Sequence, residues 1–155
     1  MSTHSYSLTV TWTGDRGDGT TSLTAYDRDH VVSATGKPDL PGSADTAFRG
    51  DPTRWNPEEL LVASLSQCHM LWYLGLAASA GIVVVGYRDQ PSGTMTELPD
   101  GAGQFDDVTL RPVVTVTEAA VAERARALHA DAHEKCFIAR SVAFPVHHEP
   151  TVLVA

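Results

Sequence analysis

Asn56-Pro57-Glu58-Glu59-Leu60-Leu61-Val62-Ala63-Ser64-Leu65-Ser66-Gln67-Cys68-His69-Met70-Leu71-Trp72-Tyr73-Leu74-Gly75-Leu76-Ala77-Ala78-Ser79-Ala80-Gly81 is the stretch on which the fold turns. Asparagine ahead of proline starts a helix. The Asn side chain accepts from a free N–H of the first turn, the fixed φ of proline suits that turn, and Glu58 and Glu59 meet the positive end of the dipole. Gly81 is the stop. From Leu60 to Ala80 the run is long enough for a bilayer, but Ser64, Ser66, Gln67 and His69 interrupt it, and no Lys or Arg follows before Arg88. The reading is a soluble helix buried nearly all round. Such a helix needs cover on every side, and one small sheet covers only one. Two copies packed helix to helix supply the rest, so the stretch predicts a dimer.

On the N-terminal side, Tyr6, Leu8, Val10 and Trp12 alternate with polar residues, the pattern of a half-buried strand. Gly14 to Gly19 is a turn, Thr20 to Tyr26 a returning strand, and His30 to Ala34 a third, short one. Thr35 to Trp55 carries Gly, Pro and Asp without periodicity and reads as a long connection of the kind that is often functional. Beyond Gly81, strands are expected at Ile82–Tyr87, Gly93–Leu98 and Gln104–Val116, with Pro112 at an edge or bulge. Thr117 caps a second helix whose apolar face is Val121, Ala125, Leu128 and Ala132. Ala143–His147 and Thr151–Val154 close the chain. Strands, buried helix, strands, helix, strands is an α+β order, read as one domain over residues 1–155.

Composition narrows the function. The 155 residues are 43% hydrophobic and 19% charged, a globular balance. A net charge of −8 disfavours nucleic acid and anionic membrane surfaces as partners. The first ten residues lack a basic and then apolar leader, and two cysteines are too few for a stapled secreted domain, so a cytoplasmic protein is expected.

Cys68 lies midway along the first helix and Cys136 just after the second. Two buried structural cysteines are the plain reading. Polar neighbours argue for more: Gln67 and His69 beside the first, Glu134 and Lys135 before the second. A polar residue in an apolar helix marks a site or an interface.

Asn56-Pro57-Glu58-Glu59-Leu60 leading to Cys68 resembles the N-P-E-x-L…C signature of the OsmC/Ohr family, the osmotically inducible and organic hydroperoxide resistance proteins. Cys136 matches the second family cysteine, and the likeness covers most of the chain. The resemblance implies an intertwined α+β homodimer, with antiparallel sheets packed around a long buried central helix and active sites at the interface. It implies a thiol-dependent peroxidase for organic hydroperoxides or hydrogen peroxide. Cys68 would be the peroxidatic cysteine and Cys136 the resolving one, reset by a dithiol or a lipoylated protein, with no cofactor. Glu58 matches the glutamate that pairs with an arginine near the thiolate. The arginine is Arg16 by one branch of the family, or Arg49 with its neighbour Arg54 by the other; Arg49 is favoured. His69 and Trp72 follow the first cysteine as candidates to tune it or to line the peroxide pocket. Cys136-Phe137 stands where the family often has Cys-Pro.

The chemistry asks for such neighbours. A thiolate is the nucleophile, burial raises a thiol's pKa, and a nearby arginine lowers it. Glu58 and Cys68 are ten positions apart, about 15 Å along a helix axis, so they serve one site only across a two-fold. Two other readings stand beside this one. His133-x-x-Cys136 has ligand spacing for a metal, but adjacent Cys68 and His69 leave a helix on different sides and complete no set. A small-ligand binder or redox sensor would use Cys68 once, without turnover. His147-His148 reads as an exposed strand end.

Overall fold

The structure is a computed structural model that describes every residue, 1–155. The chain forms two compact units, Met1–Leu60 and Leu61–Ala155.

In the first unit, β1 (Thr9–Trp12), β2 (His30–Ser33) and β3 (Leu40–Gly42) make an antiparallel sheet in that order. The returning strand expected at Thr20 to Tyr26 is absent, and β1 pairs instead with β2, Thr9 opposite Ser33. The turn that precedes this stretch is closed by its own aspartate, and an arginine takes one of the carbonyls that a ladder would use. The Asp15 carboxylate accepts from the N–H groups of Gly17 and Gly19 (2.8 and 2.9 Å), Arg16 donates to the Thr24 carbonyl, and one isolated bridge, Asp15 with Tyr26, closes the loop. β1 is exposed along its whole length rather than half-buried. The connection from Thr35 to Trp55 holds more order than its composition suggests: β3, and a 3₁₀ turn at Thr46–Phe48 capped by the Asp45 carboxylate on the Ala47 N–H (2.7 Å).

α1 runs Pro57–Ser79. Asn56 and Glu59 form a reciprocal capping box: the Asn56 side chain accepts from the Glu59 N–H (2.8 Å), and the Glu59 carboxylate from the Asn56 N–H (3.3 Å). At the other end Gly81 adopts φ 72°, Ile82 N–H reaches the Ala77 carbonyl (2.9 Å) and Gly81 N–H that of Ala78 (3.1 Å), the paired bonds of a left-handed helix stop. By length and composition α1 could cross a membrane, with a mean hydropathy of 1.3 over its most apolar 18 residues. Within this single chain it buries one column, Leu65, His69, Tyr73 and Ala77, and leaves its other faces half-covered or exposed.

In the second unit, two three-stranded sheets share α1. β4 (Val84–Arg88), β7 (Val113–Val116) and β9 (Thr151–Val154) form one; β5 (Ser92–Glu97), β6 (Gly103–Leu110) and β8 (Val146–His148) form the other. Leu65, early in α1, packs with Phe105, Val108 and Leu110 of the second of these sheets. Tyr73 and Ala77, later in α1, pack with Ile82, Val114 and Val116 and with Ala125 and Ala132 of α2 (Ala122–Lys135). The strand expected over Gln104–Val116 is therefore two strands in two sheets. Pro112, which offers no N–H, is buried at the corner between them rather than lying at an edge or bulge within one strand. The pairs β4–β7 and β5–β6 are antiparallel, whereas β6–β8 and β7–β9 run parallel. Thr117 does not cap α2. Its N–H bonds to Val83, and a 3₁₀ turn, Ala119–Val121, leads into the helix.

Candidate active site

Cys68 sits on the stripe of α1 beside the buried column, one turn before Trp72, and is half-buried. Cys136 ends α2. Its N–H still bonds back to His133 (3.3 Å), but its backbone has turned extended, at ψ 110°, and the side chain is buried, 1% exposed. The Cys136 sulfur accepts the Ala139 N–H at 3.4 Å. Burial pushes the Cys136 thiol up to about 11, and the adjoining Cys68 thiol adds to the rise while the Ala139 N–H opposes it. Two sulfurs 68 positions apart in sequence are thus neighbours, and both are free thiols. Phe137, 65% exposed, meets Trp72 edge to face, with ring centres 5.5 Å apart. The residues that follow each cysteine on its element therefore form an aromatic pair.

The expected arginine–glutamate pair does not form within one chain. Glu58, in the first turn of α1, is half-buried, and its Oε2 is out of solvent with no hydrogen-bond partner. Arg16 pairs with Asp27 (3.7 Å), and Arg54 with Asp29 (3.3 Å) and Asp51 (3.9 Å). Arg49 is exposed, with φ 68° at the end of the 3₁₀ turn.

His69 faces away from Cys68, into the core. Its Nε2 lies 2.9 Å from Nδ1 of His129, with the rings stacked at 5.2 Å, and the two residues are 1% and 0% exposed. His148 stands 5.7 Å from His69 and 6.4 Å from His129, and His133 lies 5.4 Å from His148. Burial first, then the neighbouring imidazoles, holds His69 down to about 4 and His129 to about 3. Both rings are neutral at neutral pH. Sequence reading found His69 but not His129. The signal was the spacing Ala125, His129, Ala132, Cys136, which keeps one helix face and puts a histidine on the buried side. His148, read as an exposed strand end, instead turns its ring toward this group, with Nδ1 buried.

The family model for OsmC-like protein matches residues 50–151. An OsmC-like protein of unknown function from Vibrio cholerae is similar over 96% of this chain and 99% of its own, at 32% identity and TM-score 0.84. Two organic hydroperoxide resistance proteins share the fold at lower identity. One, from Legionella pneumophila, is 20% identical, with a TM-score of 0.68 over 98% of this chain and 100% of its own. The other, from Elizabethkingia anophelis, is 17% identical, with a TM-score of 0.65 over 98% and 99%. No curated protein matches the sequence.

Proposed function

We propose that this chain, which belongs to the OsmC-like protein family, is a thiol-dependent peroxidase that reduces organic hydroperoxides or hydrogen peroxide through Cys68 and Cys136. The observation that carries the reading is the pairing of an accessible thiol with a buried one whose proton is held tightly. The Cys68 thiolate attacks the outer peroxide oxygen. The O–O bond breaks, Cys68 becomes a sulfenic acid, and the alkoxide takes a proton and leaves as alcohol. Cys136 then gives up its proton and its sulfur displaces hydroxide from Cys68, so that a disulfide and water form. A dithiol, free or lipoyl, returns both thiols by exchange.

The functional form in this reading is a cytoplasmic homodimer of single-domain protomers. Tyr6, Leu8, Val10, Trp12 and, on α1, Leu71 are all at least 45% exposed, and a second copy would cover such side chains. The orphaned Glu58 oxygen supports the same arrangement. A carboxylate oxygen removed from water without a partner is costly, and an arginine of a second copy, Arg49 or Arg16, would satisfy it and then stand near a Cys68 thiolate. Trp72 belongs to the surroundings of that thiolate and forms with Phe137 the apolar wall for the peroxide, whereas His69, turned into the core against His129, does not line that pocket.

Consumption of cumene hydroperoxide with dithiothreitol tests the reading. The wild type cycles and Cys68→Ser does nothing; without dithiothreitol, Cys136→Ser consumes one peroxide per chain and forms no internal disulfide. Normal turnover by Cys68→Ser overturns the assignment. A wild type that oxidises once and stops is a sensor rather than an enzyme.

A further inference from the structure

We infer that the hydrogen bond between His69 and His129 is the device that holds Cys136 within reach of Cys68, and that closure of the Cys68–Cys136 disulfide depends on this pair remaining uncharged. The inference deepens the reading above and rests on its pairing of the two thiols.

α1 and α2 run past one another in opposite directions, and their polar ties form a ladder. Arg124 donates to the Ala80 carbonyl (2.9 Å) at the end of α1. The Tyr73 hydroxyl donates to the Ala125 carbonyl (3.0 Å). His69 meets His129 one turn further on, and the thiols come last. Between the histidine pair and Cys136 lie two turns of α2, about 10 Å of rise. Ala132, one turn before Cys136 on α2, is fully buried and has no polar group with which to tie the helix down. Interlocking side chains set helix register, but alanine offers little to interlock, so a directional hydrogen bond adds a constraint there that the non-directional apolar contact lacks. The imidazole pair is therefore the last directional contact before the residue whose position matters.

The pair is an expensive way to fill that space. Each neutral imidazole has one donor and one acceptor nitrogen. Whichever ring donates across the 2.9 Å contact, one outer N–H and one outer lone pair remain, and both outer atoms, Nδ1 of His69 and Nε2 of His129, are buried without partners. Two apolar side chains would pack there with no orphaned polar atom. What they would lack is a directional tie between that turn of α2 and its neighbour on α1.

No carboxylate faces the pair. From α2 it meets His133 and Arg126, from β8 His148 with His147 behind it, and from α1 the ring of Tyr73, stacked 4.0 Å from His129. β9, also packed on α2, carries no titratable group. A proton arriving at either ring thus finds only cations and neutral groups. It takes the free outer lone pair and leaves the shared hydrogen bond in place, so what opposes the docked arrangement is a buried charge without a counter-ion.

Two measurements test this, and neither uses peroxide. The disulfide of His129→Leu, equilibrated against dithiothreitol at neutral pH, is expected to be at least about tenfold less favoured than that of wild type, the scale on which small displacements of reacting groups are felt. His129→Gln keeps an amide that can donate and accept but does not titrate in this range. With one equivalent of dithiodipyridine, a mixed disulfide forms on one cysteine, and the second thiol then displaces the second pyridinethione. The ratio of wild-type to His129→Gln closure rates, which cancels ordinary thiolate ionisation, is expected to stay near one at neutral pH and to fall several-fold as the pH drops below the ordinary imidazole range, about 6.5. Unchanged disulfide stability in a folded His129→Leu overturns the inference. Where that variant does not fold, a flat ratio for His129→Gln overturns it. A failed peroxide assay, with these two results as expected, overturns the peroxidase reading alone.

Discussion

Cys136 keeps its proton because burial disfavours a charged sulfur, and the Cys68 thiol beside it disfavours that charge further. Alkylation of Cys136 should therefore climb with pH through the range in which free cysteines are already fully ionised. Cys68→Ser should move that profile to lower pH, because one of the two raising causes is gone. Iodoacetamide labelling followed by peptide mass analysis reads both. The histidine pair has a stability signature of its own. His69 and His129 sit at about 4 and about 3 when folded, against about 6.5 in an unfolded chain. The unfolded state binds more protons in between, so the stabilisation is complete above pH 6.5 and is lost as pH falls toward 4. Each ring contributes a slope of about 1.4 kcal/mol per pH unit over its own window. Urea unfolding from pH 7 to pH 4.5 should show the loss in wild type and a shallower one in His129→Gln. Cys68 and His69 were legible in the sequence because polar residues stand out in an apolar helix, and Cys136 through its polar neighbours and the family resemblance. His129 was not, because α2 is polar on most of its surface and one more polar residue attracts no notice.

At the scale of elements, α1 is held at both ends by local chemistry. Asn56→Ala breaks the capping box and should cost about 1 kcal/mol. Gly81→Ala forces a side chain into φ 72° and should cost about the same. Thermal denaturation of the two variants and their combination should show additive losses, since the sites lie at opposite ends of the helix. These limits were legible for the same reason that they are stabilising: caps are written in single residues. The missed features depend on partners far along the chain. Thr20 to Tyr26 had strand composition, but the Thr24 carbonyl is taken by the Arg16 side chain and Tyr26 makes one isolated bridge, to Asp15. The run from Gln104 to Val116 looked continuous, since nothing local tells Leu110 and Val113 that they belong to different sheets. Gly93 shows the same dependence on distant partners. A Cβ there would lie 2.8 Å from the Phe105 ring, so Gly93→Val should loosen the β5–β6 pair, visible as faster amide exchange in both strands.

At the scale of the molecule, the exposed apolar side chains of β1 and α1 are the strongest reason to expect a second copy. Sedimentation equilibrium at micromolar concentration should give twice the chain mass of 16.6 kDa. Leu71→Glu should shift that equilibrium toward monomer and reduce peroxide turnover with it. A fully active monomer would separate the chemistry from the assembly. The α+β order was legible in the succession of strand and helix patterns, and the expectation of a dimer came from one helix too apolar for its surroundings. The sheet topology did not, because parallel pairing joins residues that α2 separates.

Glu149 N–H bonds to the Leu110 carbonyl and Thr151 N–H to that of Pro112, both at 2.9 Å, so β6–β7 and β8–β9 change sheets side by side. β8 and β9 are thus border strands of the two sheets, each held along one side only. Because one short turn joins them, a slip of either parallel register by a residue would have to be matched in the other, so the two sheets keep each other in alignment.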